Sequence, residues 1–155
     1  MKTPTRRVVA GLDANGKSCV VHDAPIVFAG GQPMEVANIW TGAVATGIAA
    51  DNAAPLGDGL EPFSLDRLFG PYYTMAFVEQ GPRTGQDDPG MHFTNTADHF
   101  FVLEGEIVMV LESGDVVLKE GDVGICRGVM HGWRNDTDKP AKLVTFVLPA
   151  PPVNG

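Results

Sequence analysis

Residues 89–105 read PGMHFTNTADHFFVLEG, and residues 121–135 read GDVGICRGVMHGWRN. Together these stretches carry His92, Asp98, His99 and His131, three of the chain's four histidines among them. Short apolar runs broken by glycine and asparagine are the punctuation of strands and tight turns rather than of helices. Side chains alternate faces along a strand, so His92 and Thr94 point one way while Met91 and Phe93 point the other. The same rule groups His131, Trp133 and Asn135 opposite Gly132 and Arg134. It joins Asp98 to Phe100 and turns His99 away from both. Two strands that each offer an imidazole, with a carboxylate on a third, can converge inside a small barrel.

Outward from this pair the alternation continues. Strands are predicted over 91–94, 98–103, 106–111, 116–118, 123–126, 133–135 and 142–148. Turns fall at Glu104-Gly105, Ser113-Gly114-Asp115, Glu120-Gly121-Asp122 and 135–140. Strands at this spacing predict a sandwich or barrel. Upstream, 6–11 and 18–22 form a predicted hairpin around Asp13-Ala14-Asn15-Gly16, whose residues tolerate positive φ. His22 would close it as a partly exposed strand-end residue. Further strands are predicted over 34–41 and 72–79. The glycine-rich connection 81–90 belongs on the surface. From 42 to 71 no periodicity holds, apart from a short helical turn suggested by Phe63, Leu65, Leu68 and Phe69. A segment of that length is a covering flap or a partner-contact arm, and both remain open.

Composition narrows the function classes. The 155 residues carry 19 acidic against 11 basic side chains, a formal charge of −8. That balance repels a phosphate backbone, so nucleic acid is not an expected partner. Apolar residues make up 44% and mean hydropathy is near zero, as in an ordinary soluble globular chain. No stretch approaches the length of a membrane helix, and the basic N-terminus lacks the apolar run of a signal peptide. Two distant cysteines do not make a disulfide scaffold, and Cys126 reads as a small buried hydrophobe rather than a nucleophile. A cytoplasmic enzyme or binding protein of one structural domain fits these constraints, with an N-terminal hairpin and arm over 1–71 and a barrel over 72–155.

Over roughly residues 72–149 the chain resembles the cupin superfamily. In the first cupin motif, His92 stands at the first histidine, Thr94 where the second belongs, and Asp98 in place of the glutamate. Six residues then separate Asp98 from Gly105, as that motif requires. In the second motif Gly121, His131 and Asn135 match in order, with Arg127-Gly128 near the expected Pro-x-Gly. The second stretch is most similar to small single-domain cupins with an Arg-Gly-x-x-His-x-Trp-x-Asn signature. The resemblance implies an all-β, cupin-type double-stranded β-helix (a jelly-roll barrel) preceded by the hairpin and irregular arm, and a homodimer.

Cupins usually hold a divalent metal with three histidines and a glutamate. Carried over by position, His92, Asp98 and His131 remain as metal ligands, a set that suits Fe(II) and also accepts Mn(II) or Zn(II). Without a metal, Asp98 paired with a histidine is a general acid/base. His92, Asp98 and His131 are thus the expected catalytic residues, with Thr94, Phe100, Trp133 and Arg127 against a small-molecule substrate. Asn135 is expected to fix a turn. The expected chemistry is of lyase or isomerase type on a small oxygenated substrate. The alternatives are a non-haem Fe(II) dioxygenase and a non-catalytic small-molecule-binding cupin.

Overall fold

The structure, a computed structural model, describes residues 6–31, 34–43, 60–68, 70–82 and 88–150. The chain opens with a hairpin of β1 (Arg6–Leu12) and β2 (Ser18–Pro25). Asp13 builds its turn. The carbonyl accepts from Gly16 N at 3.0 Å, and Oδ1 accepts from Asn15 N and Lys17 N at 2.8 and 2.9 Å. β2 runs on past the expected end, so His22 lies within the strand. The hairpin is a sheet of its own, tied to the body where Arg7 Nη1 donates to the carbonyls of Asn38 and Ile39, each at 3.2 Å.

Nine further strands follow among the described residues: β3 (Ala29–Gly31), β4 (Met34–Ala43), β5 (Tyr72–Gln80), β6 (Thr96–Glu104), β7 (Glu106–Leu111), β8 (Val116–Lys119), β9 (Val123–Arg127), β10 (His131–Arg134) and β11 (Ala141–Pro149). They form a six-stranded sheet ordered β3-β4-β5-β11-β6-β9 and a three-stranded sheet ordered β10-β7-β8, each antiparallel throughout. The class is all-β and the architecture the expected jelly-roll barrel. β4 pairs along β5 from Met34 opposite Gln80 to Ala43 opposite Tyr72. The barrel's larger sheet therefore begins well before residue 72, where the sequence suggests its start. One helical turn, α1 (Leu65–Leu68), falls where expected, and Asn38 Nδ2 ties the segment before it to β4 by donating to the Glu61 carbonyl at 2.6 Å. Phe69 and most of the irregular arm, 44–59, lie outside the described residues. Among those described, no helix is long and apolar enough to cross a membrane.

The strand predicted over 91–94 is reduced to a single bridge, His92 opposite His131. Pro89 has no N–H to donate and Gly90 adopts a φ of 66°, so a continuous ladder does not form there. The segment still lies along β10. Trp133 N donates to the Pro89 carbonyl at 3.0 Å, and His92 and His131 exchange backbone hydrogen bonds of 2.8 and 2.9 Å.

Alternation sorts the side chains as the pattern requires. Phe100, Val102, Ile107, Leu118, Cys126, Ala141 and Leu143 point inward as one core cluster, with Met109 and Trp133 packed on it. Phe100 meets Trp133 edge-on, ring centroids 5.0 Å apart, a geometry that adds about 1 kcal/mol to the burial itself. Phe101, Leu103, Val123 and Ile125 take the opposite parity and stay exposed. Gly105 alone separates β6 from β7 and turns the chain at φ 78°, where a Cβ would lie 2.7 Å from the Pro140 carbonyl oxygen. Asn135, 2% exposed, pins the β10–β11 connection. Its Nδ2 donates to the carbonyls of Gln80 and Lys139 at 3.1 and 2.7 Å, and its Oδ1 accepts from Thr137 N and Oγ1 at 2.9 and 2.8 Å.

Gly124 stands opposite Phe100, and any Cβ there would be driven into the ring. Gly124→Ala should therefore destabilise the fold by about 1–3 kcal/mol, seen as an earlier midpoint in urea unfolding with an unchanged slope. Burial, reinforced by the nearby Asp98 charge, pushes the Cys126 thiol pKa up and keeps it protonated at neutral pH. Labelling with a thiol-specific disulfide reagent should modify Cys19 in the folded protein and reach Cys126 only after unfolding. Equal labelling rates for the two would contradict the buried placement.

Candidate functional site

Between the two sheets lies a cavity of about 350 Å³. The core cluster fills the barrel toward β8 and β9, and the cavity occupies the space toward β4, β5 and α1. Phe100, Ile107 and Leu143 belong to both. Most of the wall is apolar: Met34 and Val36 from β4, Phe63, Leu65 and Leu68 from the α1 segment, and Ala76 and Val78 from β5. The titratable side chains that face it are His92, His131 and Asp98, joined by the polar side chains of Gln80, Thr94, Thr96 and Thr145.

The two imidazoles owe their position to the backbone. Residues directly opposite in an antiparallel bridge point to the same face. His92 and His131 are such a pair, and their rings lie 4.4 Å apart, centroid to centroid. Each ring is fixed the same way. His92 Nδ1 lies 2.7 Å from the Gly90 carbonyl oxygen, and His131 Nδ1 lies 2.8 Å from that of Val129. A carbonyl can only accept, so both Nδ1 atoms carry the proton, and in the neutral rings Nε2 holds the lone pair. His131 is 2% exposed and touches Trp133 edge-on, whereas His92 is open to solvent.

Asp98 reaches the same wall from β6. Its cross-strand neighbours are Val147 and Cys126, and Cys126 Sγ lies 3.3 Å from His131 Nδ1, so one small side chain stands beside both site groups. Asp98 Oδ1 is buried and has no hydrogen-bond partner among the described residues. An unpaired buried acceptor of this kind costs stability unless something else satisfies it. Thr94 and Thr96 are buried and share a hydrogen bond of 2.6 Å between their hydroxyl oxygens, which joins the His92 segment to the strand of Asp98.

His92, Asp98, His131, Thr94, Phe100 and Trp133 all face this one cavity. Arg127 does not. Cys126 points inward, so its neighbour Arg127 at the end of β9 points out and is exposed, which corrects the expectation of a contact with substrate. His99 also stays off the cavity wall, as its parity requires. Thr96 escaped notice, although its two-residue spacing from Asp98 places it on the same face. Met34, Val36 and Gln80 could not be assigned without knowing that β4 and β5 adjoin β11.

The resemblance to cupins implies a divalent metal. The two Nε2 atoms are suitable donors, and Asp98 offers an unsatisfied oxygen. Thr94, at the position of a second histidine, is engaged with Thr96 instead. Among the described residues no three His, Cys, Asp or Glu side chains come together as a group able to hold a metal ion. The side chains present do not fit a three-ligand centre.

Residues 79–147 match the family described as the cupin domain. A stretch of 65 residues, 41% of the chain, is 43% identical to phomopsin biosynthesis cluster protein C' of Diaporthe leptostromiformis and covers 34% of that protein. A stretch of 58 residues, 35% of the chain, is 48% identical to a cupin-domain-containing oxidoreductase of Neurospora crassa and covers 30% of it. The chain thus spans about a third of the length of these curated relatives. The cupin domain of Schizosaccharomyces pombe Cnp3 superposes with a TM-score of 0.54 at 13% identity, over 95% of this chain and 89% of that one, which is a likeness of fold. Residues 79–147 are thus a cupin domain, and the barrel around them has the cupin fold.

Proposed function

We propose that the protein is an enzyme that binds a small oxygenated organic molecule in the barrel cavity and moves a proton on it, in a reaction of lyase or isomerase type. The observation that supports this best is the grouping of His92, His131 and Asp98 on the wall of a cavity that is otherwise mostly apolar. Such an enclosure strengthens electrostatic interactions within it and limits competition from water.

His131 is the better placed base, because burial and the Val129 carbonyl leave Nε2 as its one reactive nitrogen. It takes a proton from a substrate carbon next to a carbonyl. Asp98 Oδ1 accepts a hydrogen bond from a substrate hydroxyl and orients it. In a dehydration the proton held at Nε2 passes to the departing hydroxyl. A C–H and a C–O bond break, a C=C bond forms, water leaves, and the imidazole returns to its starting state. Phe100 and Trp133 hold the apolar body of the substrate, and His92 lies in contact with His131 at the open side.

The cupin-domain-containing oxidoreductases among the relatives favour a second reading, a non-haem Fe(II) dioxygenase, against which stands the lack of a three-ligand group among the described residues. A cupin that binds a small molecule without turning it over is the third.

The probe is 4-hydroxy-4-phenylbutan-2-one, a β-hydroxyketone whose dehydration yields a conjugated enone visible by absorbance. The protein should form the enone, and His131→Gln and Asp98→Asn should each slow it about 10²-fold or more. Full turnover by Asp98→Asn would remove that carboxylate from the chemistry. Stoichiometric iron with O₂ uptake and no enone would favour the oxidative reading, and ligand retention without either reaction the binding protein.

A further inference from the structure

The polar end of the cavity is unequal in donors and acceptors, and that inequality specifies a ligand. His92 and His131 spend their Nδ1 protons on backbone carbonyls and present Nε2, an acceptor in the neutral ring. Asp98 Oδ1 is a second kind of acceptor, buried without a partner. Against these stands the threonine pair. Whichever hydroxyl donates in the 2.6 Å bond, the other keeps its own O–H proton, and neither makes a further hydrogen bond among the described residues. Gln80 and Thr145 line the cavity as well, each with donor and acceptor capacity. Beside Asp98 the site therefore asks its ligand for a hydrogen bond and offers a hydroxyl proton in return. An alcohol or phenol group meets both demands with one oxygen. A carboxylate has no proton to give Asp98 and would add a like charge beside it. An ether can accept but cannot donate, and leaves Oδ1 unpaired. No lysine or arginine appears among the described residues that line the cavity, and Arg127 points away from it.

On the premise that this cavity is the substrate site, we infer that its ligand is an uncharged, largely apolar molecule that enters with a hydroxyl group set between Asp98 and the Thr94–Thr96 pair. The rest of the molecule lies along the apolar wall formed by Met34, Val36, Leu65 and Leu68. Thr94 and Thr96 are then binding groups in their own right, and Asp98 selects the head group as well as serving the reaction.

Three fused-ring probes of one shape separate the possibilities: 2-naphthol, 2-methoxynaphthalene and 2-naphthoate, each measured by equilibrium dialysis against the full chain at neutral pH. The naphthol should bind about 10-fold or more tightly than the methyl ether, the loss that follows when a buried acceptor is left unpaired, and the naphthoate should not bind. Asp98→Ala should erase the difference between naphthol and ether. Asp98→Asn, whose amide can donate, should admit the naphthoate. Replacing Thr94 and Thr96 together by valine should weaken the naphthol and the ether alike, several-fold, because each accepts from the pair's spare hydroxyl. Naphthoate binding as tightly as naphthol to the native chain would overturn the inference, as would equal affinities for naphthol and ether. If none of the three binds, the cavity is not the ligand site, and both the inference and the proposed function fall together.

Discussion

Two backbone hydrogen bonds, exchanged between His92 and His131, hold the site together. They are the one bridge that a proline- and glycine-broken segment makes with β10, and they fix more than a strand edge. Opposite residues of a bridge share a face, so the exchange aims both imidazoles into the barrel. The carbonyl two residues before each histidine then selects its tautomer. The Thr94–Thr96 bond carries the same segment onward to β6, where Asp98 follows two residues later. Remove the bridge, and the first histidine is no longer held against the second.

The rest of the barrel is shaped by parity acting on two facing sheets. Phe100 and Val102 of β6, Leu118 of β8, Cys126 of β9 and Ala141 and Leu143 of β11 close-pack as an apolar cluster, with Trp133 edge-on to Phe100. Toward β4, β5 and α1 the same inward parity brings side chains that do not meet across the gap, and the cavity remains. A carboxylate can persist in such a wall only if something satisfies it. Asp98 sits between a valine and a cysteine, neither of which satisfies Oδ1. The enclosure that makes this group costly to the folded chain is also what would make it selective under the proposed reading.

Much of this is legible in the sequence. From residue 96 onward, two-fold alternation and turn glycines gave the strands to within a few residues, because local chain geometry dictates them. Parity alone separated Asp98 from His99 and grouped His131 with Trp133. Three things needed the folded chain. The 91–94 segment has strand-like composition, but Pro89 and Gly90 deny it a ladder. Arg127 looked useful beside the second motif, yet its parity follows from Cys126, whose inward direction depends on the pairing of β9 with β6. The β4 wall could not be foreseen because β5 lies beside β11, its distant neighbour in sequence, and β4 beside β5.

One wall of the cavity is not built from strands. Phe63, Leu65 and Leu68 come from a short segment around α1, tied to β4 where the Asn38 amide meets the Glu61 carbonyl. It contributes no rung to either sheet. Substitutions there would recontour the chamber without disturbing the register that orients the histidines and Asp98. The polar groups and the outline of the cavity are thus carried by separable parts of the molecule: a panel on the sheets that presents the histidines and Asp98, and a replaceable panel that shapes the rest of the space.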